Sequence, residues 1–346
     1  MVCQSDFYMK RICIAGGGNL AHTCIGRFSQ IPGLEINLLT GKPDRWSDGI
    51  IVHTPDGRVL NGRIFKRSSD PAKVVPGSDI VLLCLPAYCV ENILLRIRPY
   101  LGDKTIVGSI VANTGFFIYC HRLLAPTTRL FGLQRVPYIS RVVDYGREAN
   151  LLSYSSGLYM ATENIPDREA FRLFTEKLFG IDTKLVDTFY EVTLSNSNPI
   201  LHTGRIYTMW KDWDGTPYDR CPLFYKEWTL QASELEIRMD KEFFRLLHAI
   251  GVNTGNIQTM LTHYDSTDAT ELTRKLQSIK AFENILSPMT KVQGGWIPDF
   301  TSRYFTEDFP YGLRFIKELA AGHNVSTPNI DMVYDWGTRQ IATHNM

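Results

Sequence analysis

In Asn198-Pro199-Ile200-Leu201-His202-Thr203-Gly204, an imidazole follows an asparagine by four positions, an arrangement suited to moving protons. A histidine titrates near neutrality, so one ring can take a proton and later return it at constant pH. Asparagine at an N-cap and proline at the first helical position would open a helix here. Residues four apart then share a face, so Asn198 and His202 present a carboxamide and an imidazole in the same direction. Further on, Ser302-Arg303-Tyr304-Phe305-Thr306-Glu307-Asp308-Phe309-Pro310-Tyr311-Gly312 carries two acids ahead of a proline. An acceptor side chain, early acids and a proline also mark a helix start, so Glu307 and Asp308 either complement a helix dipole or supply a carboxylate to an imidazole.

A second chemistry lies near the N-terminus. Gly16-Gly17-Gly18-Asn19-Leu20-Ala21 follows the apolar run Arg11 to Ala15 and precedes a helical pattern, the context in which G-x-G-x-x-A marks a dinucleotide site. Gly16 permits the tight turn, Gly18 lets the backbone approach a pyrophosphate, and Ala21 allows close packing of helix on strand. Asn19 and Leu20 begin the helix whose N–H groups face the phosphates. The second strand ends at Leu39-Thr40, where an NAD site usually presents an acid to the ribose 2′-hydroxyl; here Thr40, Lys42 and Arg45 offer a hydroxyl and two cations instead. NADP is the expected cofactor, with NAD as the alternative. Leu85-Pro86-Ala87 and Asn113-Thr114-Gly115 follow later strands and are further candidates for contact with the nucleotide, at Pro86, Ala87 and Asn113, although Pro and Gly punctuate any loop.

These residues need two kinds of scaffold. Up to about Asp187, short β-branched runs alternate with helical patterns, as in a parallel α/β sheet. Candidate strands are Arg11 to Ala15, Glu35 to Leu39, Asp79 to Leu85, Thr105 to Gly108, Arg129 to Val136 and Thr183 to Val186; candidate helices are Leu20 to Gln30, Val90 to Tyr100 and Arg168 to Phe179. Pro55-Asp56-Gly57 marks a turn in a hairpin insertion between Gly49 and Arg67. Beyond Asp187 helical periods take over at Pro199 to Trp213, Lys226 to Ile250, Asp268 to Ile279, Pro310 to Ala321 and Pro328 to Ala342. The expected architecture is an α/β Rossmann domain over residues 1–187 followed by an all-α domain over residues 188–346.

Lys and Arg number 37 against 36 Asp and Glu among 346 residues, a balance that gives no compositional support for nucleic acid or an anionic membrane as partner. The 7 cysteines form no C-x-x-C pair and no zinc-ligand spacing, so no metal is expected and the thiols read as reduced core residues. The longest apolar run, Ile80 to Val90, is broken by Pro86 and too short to span a bilayer, and Met1 to Lys10 does not resemble a signal peptide. A cytoplasmic small-molecule enzyme is expected; its oligomeric state is open, with a homodimer one option.

The glycine fingerprint, the helical second half, Asn-Pro-x-x-His and the acidic motif before Pro-Tyr-Gly occur in the order found in the octopine/nopaline dehydrogenase family, which the chain resembles over nearly its whole length. The resemblance implies a Rossmann domain joined to a helical domain with substrates between them, and a catalytic histidine–aspartate pair mapping onto His202 and Asp308. It implies reductive condensation of an amino acid with a 2-oxo acid. Val136-Pro137-Tyr138-Ile139-Ser140-Arg141 is similar to a family segment and makes Arg141 a candidate carboxylate contact, alongside Arg303 and Asn198. Two rival readings remain. Ketopantoate reductases and hydroxyacid dehydrogenases share the plan but rely on a lysine, and none of Lys226, Lys241, Lys275 or Lys280 sits in a comparable motif. A nucleotide-binding sensor without turnover is the other.

Overall fold

The computed structural model describes residues 9–112 and 115–344. The chain divides into two compact units, Met1–Thr193 and Leu194–Met346.

In the first unit the elements run β1 (Arg11–Ala15), α1 (Asn19–Phe28), β2 (Glu35–Leu39), β3 (Gly49–His53), β4 (Val59–Arg63), β5 (Lys66–Ser68), α2 (Pro71–Val74), β6 (Ile80–Leu83), α3 (Ala87–Ile97), β7 (Ile106–Ile110), α4 (Phe116–Leu123), β8 (Arg129–Leu133), β9 (Tyr138–Asp144), β10 (Glu148–Tyr154), β11 (Leu158–Glu163), α5 (Arg168–Phe179), β12 (Thr183–Leu185) and α6 (Phe189–Thr193). The main sheet has the order β12-β11-β8-β7-β6-β1-β2-β5. Its pairs are parallel except β11 with β8. Ile12 to Ala15 and Ile80 to Leu83 are fully buried, which is why the central strands read as unbroken apolar runs and not as alternations.

A second, four-stranded sheet, β4-β3-β10-β9, was not visible in the sequence beyond its β3–β4 hairpin. The Thr54 carbonyl accepts the Gly57 N–H at 3.0 Å, and Gly57 adopts φ 82°, a conformation that favours glycine. β3 then pairs with β10, bringing the 49–63 segment onto residues 138–154. This sheet lies against α1, whose Ala21, His22, Thr23, Cys24, Ile25, Gly26 and Phe28 are all buried. A helix buried around most of its circumference needs partners on more than one side. Gly26 makes the approach possible, since a Cβ there would stand 2.5 Å from Val52 Cγ2.

The unit boundary at Thr193/Leu194 lies beyond the change of period at Asp187. The reason is α6, which is helical but packs on β8 and β11 of the main sheet and donates a hydrogen bond from Thr193 Oγ1 to the Ala112 carbonyl at 3.3 Å.

The second unit contains α7 (Asn198–Trp210), α8 (Leu230–Ala249), α9 (Met260–His263), α10 (Ala269–Ser278), a β13–β14 hairpin (Met289–Val292 and Gly295–Pro298), a π-helical segment over Tyr304–Leu313, α11 (Arg314–Gly322) and α12 (Pro328–His344). Thr229 and Asp268 cap α8 and α10 by accepting the Ala232 and Glu271 N–H groups, as residues of their type do at helix starts. The core is aromatic around Phe224, Trp228, Phe305 and Phe309, all buried. Two glycines set the spacing of the site-bearing elements. A Cβ on Gly312 would stand 2.4 Å from Pro199 Cγ, and one on Gly337 would stand 2.0 Å from Phe309 Cε1.

The helix expected to start around Thr306 and run from Pro310 begins instead at Tyr304, and Pro310 lies inside it. Proline removes an N–H and crowds the preceding turn of an α-helix; the wider π-helical turn accommodates it. Likewise α7 starts at Asn198 with Ser197 at the N-cap, one residue earlier than expected and without a side-chain cap bond, and the Asn198 N–H donates to Asn196 Oδ1 at 3.1 Å.

Candidate active site

The first unit holds the glycine turn where β1 runs into α1. Gly16 has φ 141°, and a Cβ there would lie 2.4 Å from the Cys84 carbonyl oxygen, so the turn closes directly against the loop after β6. That loop continues through exposed Pro86, which precedes α3, to buried Ala87. Gly17 is crowded, since a Cβ would meet the Tyr145 hydroxyl at 2.6 Å and Thr40 Oγ1 at 2.9 Å. Gly18 differs: nothing lies within 4 Å of its Cβ position. It is the N-cap residue of α1 and makes no side-chain cap bond. The first-turn N–H groups of Asn19, Leu20 and Ala21 have no intrahelical acceptor, and the positive end of the helix faces the same open space. That combination fits a pyrophosphate.

Thr40 is buried at the end of β2, while Lys42 and Arg45 are exposed in the following turn. The Arg45 guanidinium lies 4.7 Å from the centre of the Tyr145 ring. The Asn19 carboxamide accepts the Val142 N–H at 2.8 Å, tying the glycine turn to β9. Asn113 lies outside the described residues.

His22 is a residue of this site that spacing alone did not mark. Its Nδ1 is 2.8 Å from the Gly18 carbonyl, and its Nε2 accepts the Gly146 N–H at 2.8 Å. Nδ1 therefore carries the proton and donates to Gly18. The ring lies 4.1 Å from that of Trp46, and burial lowers its pKa from the ordinary histidine value despite the Gly18 bond. A histidine four residues after the last fingerprint glycine was the available signal.

In the second unit, α7 and the π-helical segment bring together the two residues singled out by motif. His202 Nδ1 is 2.8 Å from Asp308 Oδ2, with side chains 14% and 16% exposed. A carboxylate accepts only, so Nδ1 carries the proton and Nε2 is the basic nitrogen. Nε2 in turn lies 3.0 Å from the Tyr225 hydroxyl. The imidazole is edged by Tyr304 at 4.7 Å and Phe224 at 5.9 Å. Burial raises the pKa of both Tyr225 and Tyr304, with neighbouring phenols adding to it at Tyr225 and Asp308 adding to it at both, so both phenols stay protonated. Tyr225 and Tyr304 escaped the sequence reading, because an aromatic side chain carries in its local sequence no sign of its hydroxyl's partner.

The candidate substrate cations are placed less tightly. Arg303 is exposed and pairs with Glu307 at 2.8 Å, so Glu307 serves an ion pair within the helix. Arg141 is exposed on β9 and donates to the Ser140 carbonyl at 2.9 Å. Asn198 is exposed one turn before His202. Among the described residues no group of His, Cys, Asp and Glu is placed to hold a metal ion, and no helix is long and apolar enough to cross a membrane.

Comparison with known proteins adds three findings. Residues 185–340 match the family described as NAD/NADP octopine/nopaline dehydrogenase, alpha-helical domain. The octopine dehydrogenase of Mizuhopecten yessoensis is 26% identical over 96% of this chain and 90% of its own length, and the tauropine dehydrogenase of Arabella iricolor is 25% identical over 96% and 91%. A solved octopine dehydrogenase holding NADH and L-arginine superimposes with a TM-score of 0.86 at 25% identity, covering 96% of this chain and 89% of that one.

Proposed function

We propose that this chain is a member of the octopine/nopaline dehydrogenase family and an opine dehydrogenase: it condenses the amino group of an amino acid with a 2-oxo acid and reduces the resulting imine with a nicotinamide hydride. The observation that carries this reading is the His202–Asp308 bond at 2.8 Å, a proton-handling pair in the unit that the family model matches.

The reaction requires two proton movements. The incoming amine must lose a proton to attack the oxo carbon, and the carbinolamine hydroxyl must gain one to leave as water. His202 performs both in turn. Asp308 fixes the Nδ1–H tautomer and stabilises the imidazolium formed between the two steps. The nicotinamide dinucleotide would supply the hydride; Gly16, Gly18, Asn19, Leu20 and Ala21 would hold its pyrophosphate, with Pro86 and Ala87 beside the turn. Arg141, Arg303 and Asn198 are the groups assigned to the two substrate carboxylates.

β2 ends in Leu39-Thr40 without a carboxylate, and Lys42 and Arg45 follow, which favours NADPH. NADH, the nucleotide in the octopine dehydrogenase structure, is the alternative. Separate NADPH and NADH titrations of the wild type, Lys42→Ala and Arg45→Ala decide between them: NADPH selection lost in the variants supports the 2′-phosphate assignment, and preference for NADH unaffected by either change rejects it.

The function is tested by nucleotide oxidation over a matrix of amino acids and 2-oxo acids, with mass spectrometry of the product. Oxidation that needs both substrates and yields the N-(carboxyalkyl) amino acid supports the reading. Reduction of an oxo acid alone places the chain with hydroxyacid-type reductases, and nucleotide binding without any oxidation makes it a sensor.

A further inference from the structure

The basic nitrogen of His202 is already occupied. Asp308 holds Nδ1, and the Tyr225 hydroxyl lies 3.0 Å from Nε2, the nitrogen that must exchange protons with the substrate. With Nδ1–H donated to the carboxylate, Nε2 presents a lone pair, so the phenol O–H is the donor in this bond. Either the phenol must move aside for substrate, or protons must pass through it.

The packing argues against movement. The Tyr225 ring is 5% exposed and stacks on Phe282 at 4.4 Å and on Trp228 at 5.7 Å with an interplanar angle of 8°. Its backbone is fastened on both sides, by the Phe224 N–H to the Ile285 carbonyl at 2.7 Å and by the Trp228 N–H to its own carbonyl at 3.1 Å. Swinging the phenol away from Nε2 would break two aromatic stacks and open a void in a buried aromatic cluster.

We propose that Tyr225 is a catalytic residue, the relay through which His202 exchanges its proton with the substrate. This rests on the opine dehydrogenase reading and extends it by one group. As the amine is activated, the substrate N–H bond breaks while a new phenol O–H bond forms, and the original phenol O–H bond breaks while the imidazole Nε2–H bond forms. The positive charge moves from ammonium to imidazolium beside Asp308, and the phenol is regenerated within the step. Run in reverse, the same relay protonates the departing carbinolamine hydroxyl. Because burial strongly disfavours the phenolate, the two transfers are concerted.

The test is Tyr225→Phe, which keeps the stacked ring and removes only the hydroxyl, assayed in the full-length protein. The relay predicts that kcat/KM falls about tenfold or more while the nucleotide Kd changes less than twofold. It also predicts a proton inventory, the rate measured across H2O/D2O mixtures, that is curved in the wild type because two protons move together and linear in the variant. A variant rate within twofold of wild type, or a linear wild-type inventory, overturns the proposal. Should the phenylalanine variant unfold, 3-fluorotyrosine at 225 keeps ring and hydroxyl but acidifies the phenol; an unchanged rate and isotope effect then overturn it too. The amine requirement of the wild type separately tests the parent reading, and the inventory runs equally on reduction of an oxo acid alone, so the two failures are told apart.

Discussion

Replacing Asp308 with asparagine preserves the volume at the His202 contact and removes the charge. The carboxylate acts on a ring only 14% exposed at 2.8 Å, so its interaction with the imidazolium is only partly screened. At an effective dielectric of about 20, two unit charges about 4 Å apart attract by about 4 kcal/mol, while a hydrogen bond to a charged group contributes about 1.5–3 kcal/mol. The amide keeps part of the hydrogen bond, leaving about 2–3 kcal/mol lost from a transition state that carries the imidazolium. At 1.36 kcal/mol per tenfold, this is a fall in kcat of about 30- to 150-fold. The amide also presents a donor as well as an acceptor to Nδ1, so part of the population adopts the wrong tautomer and the loss sits toward the upper end. Steady-state kinetics with saturating nucleotide and both substrates measure it, with nucleotide affinity as the control. A fall smaller than threefold in a folded variant would refute the assignment of Asp308 as the charge that supports His202.

Gly16→Ala places a methyl 2.4 Å from the Cys84 carbonyl in a backbone at φ 141°, so nucleotide affinity measured by fluorescence titration should drop at least tenfold; unchanged binding would show that the turn does not hold the phosphates. Gly337→Ala drives a Cβ to 2.0 Å from Phe309, which neighbours Asp308 in sequence, and overpacking of this kind costs about 1–3 kcal/mol. Its melting temperature should fall, with kcat lowered and nucleotide affinity retained; wild-type stability would sink the packing argument. His22 has a folded-state pKa below the unfolded value near 6.5, so its stabilising contribution is complete above that pH and is lost as pH falls through the folded-state pKa. Denaturant unfolding of the wild type should therefore weaken below about pH 6.5 more than that of His22→Gln; parallel pH dependences would contradict it.

The legible parts of the chain were those whose local pattern and tertiary environment agree. Arg11 to Ala15 reads as a strand because both its faces are buried, and the glycines after it announce the turn because no other residue fits Gly16. His202 and Asp308 each lie in a short proline-containing motif, but it was the family resemblance that singled them out, and the structure places them 2.8 Å apart. What stayed hidden depended on contacts distant in sequence. Strands β9 and β10 expose Ile139, Val143 and Leu152 on one face, which blurs the apolar–polar alternation that identifies a half-buried strand. Thr306 to Pro310 carries the chemistry of a helix start, yet the wider turn admits Pro310 mid-helix, so a valid local signal marked the wrong place. Tyr225 and His22 act through hydrogen bonds to residues far along the chain, and composition holds no trace of those partners.

The helix behind the glycine turn is walled by two sheets, one of them assembled from segments that look dispensable in a linear reading. A lineage or an engineer shortening the 49–63 hairpin would be stripping the back wall from α1, because Val52 fills the notch left by Gly26 and β9 anchors Asn19. The packing of α1 and the hairpin are therefore coupled traits, and redesign of one has to carry the other along.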